Sequence, residues 1–181
     1  MLKITIPAFE CYNENTNTFS SVKETTLTLE HSLVSLSKWE AKWGKPFLSK
    51  DNKTSAEVLD YIRCMTITQN VDPAVYANLN KKHIKQILEY IESPQTATWF
   101  GADKAHKKKN REVITSELIY YWMVAFNIPF ECQKWHLNRL ITLIRICDEK
   151  NAPPKKMSRH EILSQQSKLN AMRKRKYNTR G

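Results

Sequence analysis

The chain has 181 residues, 41% of them hydrophobic, which suits one domain of about 150 residues with an appendage. Its 29 Lys and Arg residues exceed its 18 Asp and Glu residues, so the formal net charge is +11. Only three glycines occur, at Gly44, Gly101 and Gly181, which excludes the glycine-rich phosphate loops of the dinucleotide-binding and Walker types.

The positive charge is concentrated at the C-terminal end. Residues 150–181 contain ten Lys or Arg residues and one acid, Glu161, which gives +9, whereas residues 1–149 contain 19 bases and 17 acids, which gives +2. We therefore predict a globular domain at residues 1–149, followed by a hinge and a basic C-terminal helix at residues 150–181. A nearly neutral body with a basic arm favours an interaction protein over an enzyme.

Cysteine usage and hydropathy bear on the compartment. The four cysteines, at positions 11, 64, 132 and 147, form no C-x-x-C pair, so we predict reduced cysteines and a cytoplasmic protein. The first residues lack the layout of a signal peptide. The most apolar stretch, residues 118–130, is too short to span a bilayer.

The N-terminal pattern predicts β-structure. Apolar residues alternate with polar ones at residues 2–6 and again at residues 25–30, as is typical of strands. A polar stretch at residues 13–17 lies between them. We therefore predict an N-terminal β-hairpin.

From Ser32 onward the apolar spacing becomes helical. One helix ends at Gly44, a second begins with the capping box at residues 54–57, a short third begins at Pro73, and Asn80 caps a fourth. Residues 93–111, with Pro94 and a basic run at 106–111, predict an exposed loop. Helices at residues 116–127 and 130–149, joined by a short turn, are predicted to pack antiparallel as the centre of the fold.

The basic C-terminal helix follows a hinge at residues 151–154 and a capping box at residues 158–161. It is predicted to end near Lys176, and its apolar residues are too sparse for a stable isolated helix. The candidate partner-binding residues are Ile162, Leu163, Leu169, Met172, Arg173, Lys174 and Arg175.

Three interpretations of this helix stay open: a solvated helix end, a docking surface for an acidic or helical protein, and a surface for nucleic acid or membranes. Tyr177 is its one aromatic residue, which argues against a base-stacking platform. The absence of Trp and Phe argues against a membrane surface.

The sequence gives little support for any catalytic residue. Cys132 and His136, four residues apart, would share one face of a helix, and two further ligands would complete a metal site. Glu112, Glu117 and Glu131 flank the central helices, where acids near a helix N-terminus have an ordinary electrostatic role. Trp39 and Trp43 are predicted to pack in the core. We therefore predict no catalytic residues, no metal and no cofactor, and expect the protein not to be an enzyme.

Several long segments resemble one family of tailed-bacteriophage proteins. They are LEHSLVSLSKWE at residues 29–40, YIRCMT at 61–66, TSELIYYWM at 115–123, NIPFECQKWHLNRL at 127–140 and NAPPKKMS at 151–158. Members of that family are labelled tail assembly chaperones. The resemblance covers residues 27 to 181, is weakest at residues 93–111, and involves whole segments and no catalytic motif.

The resemblance implies a non-enzymatic assembly chaperone. Such chaperones bind the tape measure protein, a long and mostly helical chain, and keep it soluble until major tail protein subunits polymerise around it. They act in the cytoplasm of the bacterial host and are absent from the mature virion. In many phages a frameshifted extension recruits the major tail protein. Whether this chain forms homo-oligomers stays open.

These observations together predict a mostly helical α+β fold, with an N-terminal β-hairpin packed on a helical core and a projecting basic C-terminal helix. The expected partners are the tape measure protein and the major tail protein, without a membrane. The alternative is a nucleic-acid-binding protein that acts through the basic tail, which the missing stacking platform makes the weaker choice.

Overall fold

The computed structural model describes residues 1–13, 18–100, 113–152 and 159–178. The chain divides into two compact units, Met1–Asp148 and Glu149–Gly181. The predicted mostly helical α+β fold is confirmed. Four features predicted from the sequence lie outside the described residues: the tip of the polar turn at 14–17, the basic run at 106–111, the hinge prolines Pro153 and Pro154, and the capping residue Ser158.

The N-terminal hairpin is longer than predicted. Its strands are β1 (Leu2–Ile6), β2 (Phe9–Asn13), β3 (Thr18–Val22) and β4 (Thr25–Leu29), and β1 pairs with β4 while β2 pairs with β3, both antiparallel. Leu2 lies opposite Leu29 and Phe9 lies opposite Val22, so both pairs follow one register. Pro7, which has no N–H to donate, lies in the interruption between the two pairs.

The inner half of the hairpin belongs to the core. Ile4 and Ile6 on β1 and Leu27 and Leu29 on β4 are all buried, because alternate side chains of a strand point to the same face. The sequence predicted β1 and β4 from this alternation. It did not predict β2 and β3, whose pattern is less regular.

Helices make up most of the remainder. They are α1 (Leu33–Trp43), α2 (Ser55–Met65), α3 (Pro73–Ala77), α4 (Lys81–Glu92), α5 (Ser116–Ala125), a 3₁₀ helix (Phe130–Lys134), α6 (Leu137–Asn151) and α7 (Arg159–Tyr177). The predicted capping box of α2 is present, since the Thr54 hydroxyl accepts from the Glu57 N–H and the Glu57 carboxylate accepts from the Thr54 N–H. Gly44 ends α1 with φ of 63°, a conformation that favours glycine.

The centre of the fold is α1, and the prediction that residues 116–127 and 130–149 form it is wrong. Helix α1 packs against α2, α5 and the 3₁₀ helix, with Leu33, Leu36 and Trp39 fully buried. Helix α5 buries one side only, so that Tyr121 is 65% exposed and Val124 59% exposed. Its all-round apolar sequence therefore does not reflect all-round burial.

Trp39 anchors the contact between α1 and α2. Its indole N–H donates to the Glu57 carbonyl at 3.0 Å, and its ring lies 5.0 Å from that of Phe47, which stacks on Tyr61 at 3.7 Å. The predicted core position of Trp39 is confirmed. Trp43 is 36% exposed and donates to the Asp60 carboxylate at 2.9 Å.

The described part of the predicted loop, residues 93–100, contains no helix or strand. It is nevertheless attached to α6. The Asn138 side-chain amide donates to the carbonyls of Ile91 and Ser93, each at 2.9 Å, and the Arg145 guanidinium lies 3.8 Å from the centre of the Phe100 ring. These contacts hold the start of the loop.

Candidate functional site

The predicted contact residues lie on α7 in the second unit. The apolar ones are largely exposed: 43% for Ile162, 57% for Leu163, 52% for Leu169 and 68% for Met172. The helix has 19 residues and is about 28 Å long, at 1.5 Å per residue. Exposed apolar side chains mark a surface that binds a partner when they form a contiguous patch.

The apolar residues of α7 do not all share one face. At 100° per residue, Ile162, Leu169 and Met172 lie within about 80° of one another, while Leu163 lies about 100° from Ile162. Three of the four apolar residues therefore share one face of α7, and Leu163 projects from another side, about 180° from Met172. This arrangement gives a narrow apolar strip that a second helix can contact.

The bases of α7 surround its C-terminal end. Arg173, Lys174, Arg175 and Lys176 follow one another, so successive side chains project at 100° intervals around the axis, and all four are exposed. Cations at this end are favourable because the helix dipole is negative there. The apolar strip thus runs into a ring of positive charge, which gives α7 two kinds of contact at once.

The first unit contains a buried pair of imidazoles that the sequence did not predict. The rings of His31 and His136 lie 5.1 Å apart, and a hydrogen bond of 2.5 Å joins His31 Nδ1 to the Tyr61 hydroxyl. His136 Nδ1 accepts from the Asn138 N–H at 3.3 Å, so Nε2 carries the proton and donates to the Tyr90 carbonyl at 3.0 Å. The pair connects the end of the hairpin to α2, α4 and α6.

Burial governs how these groups titrate. Burial, with a smaller contribution from the neighbouring His136 ring, lowers the pKa of His31 from 6.5 to about 3. Burial also lowers the pKa of His136. Burial raises the pKa of Tyr90, whose hydroxyl donates to the Glu30 carboxylate at 2.7 Å. The imidazoles are therefore neutral at pH 7, as a structural pair requires.

We expect acid to destabilise the protein well above the titration range of its carboxylates. Because His31 accepts a proton near pH 6.5 when unfolded and only near pH 3 when folded, its contribution to stability is complete above pH 6.5 and is lost as the pH falls. Between pH 7 and pH 5 the free energy of unfolding should fall by about 2 kcal/mol from His31 alone. Urea denaturation at both pH values measures this change.

A matched pair of variants isolates the buried imidazole. His31→Gln should reduce the fall between pH 7 and pH 5, whereas His160→Asn, on an exposed residue of α7, should leave it unchanged. The same fall in both variants would contradict the assignment to His31. The quantity compared is the decrease in the free energy of unfolding between pH 7 and pH 5, and not the absolute stability of either variant.

The catalytic candidates do not form a site. Cys132 lies in the 3₁₀ helix and His136 precedes α6. The prediction that both residues share one face of a single helix is therefore wrong. Glu117 is exposed at the start of α5, where its own N–H and the Thr115 hydroxyl lower its pKa, and Glu131 is exposed on the 3₁₀ helix. Glu112 lies outside the described residues. In the described ranges, no three His, Cys, Asp or Glu residues are placed to hold a metal ion.

Two further observations concern the cysteines and the membrane. Cys64, Cys132 and Cys147 are free thiols, and burial raises the pKa of Cys64. Across residues 1–13, 18–100, 113–152 and 159–178, none of the helices combines the length and apolar character needed to cross a bilayer.

No family model matches the chain, and neither a curated protein nor a solved structure matches it significantly. The resemblance to tail assembly chaperones therefore stays a prediction from the sequence segments. The geometry of α7 is the structural basis for assigning a function.

Proposed function

We propose that the chain is a non-enzymatic assembly chaperone for the tails of tailed bacteriophages. It binds the tape measure protein and keeps it soluble until tail-tube subunits polymerise around that protein. It acts in the cytoplasm of the bacterial host and is left out of the mature virion. The major tail protein displaces it, directly or through a frameshifted extension.

The observation that carries the proposal is the exposure of Ile162, Leu163, Leu169 and Met172 on the basic helix α7. A long helical client has an apolar stripe that a facing helix can cover. Ile162, Leu169 and Met172 supply the apolar area of one face, and the bases at residues 173–176 attract acidic stretches of the client. Repeated weak contacts along a long client give avidity without one tight site.

Co-expression tests the proposal. The chain is produced together with the tape measure protein of its own phage, and the soluble fraction of that protein is measured after centrifugation. We expect the soluble fraction to rise several-fold over expression without the chain. Equal insolubility with and without the chain would sink the proposal.

One observation favours a second function. The ring of bases at residues 173–176 would also suit the phosphate backbone of a nucleic acid, as expected for a nucleic-acid-binding protein. Such binding releases counterions, so its affinity falls steeply as salt is added. The helix offers Tyr177 as its aromatic residue, which gives little stacking.

Salt dependence separates the two functions. If the bases bind nucleic acid, the triple variant Arg173→Gln, Lys174→Gln, Arg175→Gln should lower the slope of log affinity against log salt by about three, at 0.9 per phosphate contact. We expect instead that the unaltered chain retains no DNA or RNA on filters in 50 mM salt and still keeps the client soluble. Tight retention by the unaltered chain would favour the nucleic-acid function.

A further inference from the structure

An apolar cavity of about 110 Å³ lies between α2 and α4 in the first unit, and its lining includes none of the residues assigned to the client. Its walls are formed by Phe47, Val58, Tyr61, Ile62, Ile84, Ile87, Leu88, Ile91 and the side chain of Lys53. These residues, Lys53 included, line the cavity with carbon atoms, so the space offers water no polar partner. A space lined by carbon favours apolar ligands, as an enclosed 150 Å³ cavity accepts benzene.

The cavity has a buried floor and an open rim. Tyr61, Ile62 and Ile87 are each 1% exposed and form the floor, whereas Leu88 is 46% exposed and marks the opening to solvent. A ligand can therefore reach the floor from outside without unfolding either helix. The volume suits an alkyl chain of about four carbons, at roughly 27 Å³ for each methylene group packed at interior density.

Lys53 lines the cavity with the carbons of its side chain, and its ammonium lies outside the lining. Its ammonium lies 4.9 Å from the centre of the Phe47 ring, which is itself a wall, and donates to the Ser49 carbonyl at 3.2 Å. In the described part of the chain its ammonium contacts no carboxylate, unlike Lys42 and Lys45, which pair with Asp60 and Glu57. A positive charge thus lies beside the apolar cavity without an anionic partner there.

We propose that this cavity is a binding site for a short aliphatic carboxylate. The alkyl chain occupies the space above Tyr61, Ile62 and Ile87, and the carboxylate pairs with the Lys53 ammonium. Apolar burial supplies most of the affinity, and the ion pair selects an acid over an alcohol or an amine. The site is independent of α7, so its test and the test of the chaperone function can fail separately.

Methyl NMR of the full chain tests the proposal, with isoleucine δ1 methyls labelled and sodium pentanoate as the probe. The methyls of Ile62, Ile84, Ile87 and Ile91 should shift and saturate with a dissociation constant of about 1 mM. The methyl of Ile119, buried outside the cavity, should not shift. Shifts without saturation at tens of millimolar, or spread over the whole molecule, would overturn the proposal.

Ligand and protein variants check the role of the charge. Pentan-1-ol should bind about fivefold more weakly than pentanoate, and Lys53→Met should remove that preference by weakening pentanoate alone. Lys82→Met, on an exposed residue of α4 outside the lining, is the matched control and should change nothing. Equal binding of the acid and the alcohol by the unaltered chain would refute the pairing with Lys53.

A third variant checks the cavity itself. Leu88→Trp at the half-exposed rim should fill the opening and abolish the pentanoate shifts, while the circular dichroism spectrum stays that of the unaltered protein. Undiminished pentanoate binding in this folded variant would overturn the assignment to the cavity.

Discussion

Replacing Glu40 with Ala should lower the free energy of unfolding by about 4 kcal/mol. The Glu40 carboxylate is buried and accepts two backbone hydrogen bonds, from the Phe47 N–H at 2.8 Å and from the Ser116 N–H at 2.7 Å. Ser116 is the first residue of α5, so the negative charge also faces the positive end of that helix dipole. Without the carboxylate, a fully buried N–H has no acceptor, which is costly.

Two variants make the measurement specific. Glu40→Gln retains the shape and one acceptor, so urea denaturation should show a loss of about 2 kcal/mol. Ser116→Ala retains the backbone N–H and removes a buried hydroxyl that has no hydrogen-bond partner among the residues that the structure describes, so its effect should lie within about 1 kcal/mol of zero. A loss below 1 kcal/mol for Glu40→Ala would show that water or another group replaces the carboxylate.

Glu40 also illustrates why part of the fold could not be predicted. Its partner at Ser116 lies 76 residues away, and no local pattern relates the two positions. The same is true of His31 and His136, which are brought together by the hairpin, α4 and α6. Each residue taken alone has an ordinary sequence context, so tertiary partners of buried polar groups stay invisible until the elements are packed.

Local signals, by contrast, were predictive. The hydroxyl of Thr54 and the carboxylate of Glu57 cap α2, and Gly44 ends α1, because these interactions involve residues three or four apart. Helix α5 begins at Ser116, as predicted, and the Thr115 side chain caps it. Such signals determine where helices begin and end, and they carry no information on which helix occupies the centre.

Helix α5 shows the limit of composition. Its sequence is apolar on all sides, which is typical of a central helix, but Tyr121 and Val124 are mostly exposed in the first unit. A side chain can be apolar because it contacts the core or because it contacts a partner, and the sequence does not distinguish the two. The same ambiguity applies to α7, where the predicted contact residues are exposed.

The second large effect is expected on α7. Replacing Ile162, Leu163, Leu169 and Met172 together with Gln retains helix propensity but removes the apolar area that a client helix would cover. Each such side chain contributes about 1 kcal/mol when half of it becomes buried, so the combined loss should weaken client binding by at least about a hundredfold. In co-expression, the soluble fraction of the tape measure protein should fall to the value without the chain.

A matched set of substitutions distinguishes lost contacts from a damaged helix. Gln165, Ser167 and Asn170 are exposed on the same helix, and replacing all three with Ala removes polar groups without removing apolar area. This variant should solubilise the client as the unaltered chain does, and urea denaturation of the first unit should be the same for both variants. If the Gln substitutions leave client solubility intact, the client is bound elsewhere. The exposed face of α5 then becomes the next surface to alter, because Tyr121 and Val124 are 65% and 59% exposed there.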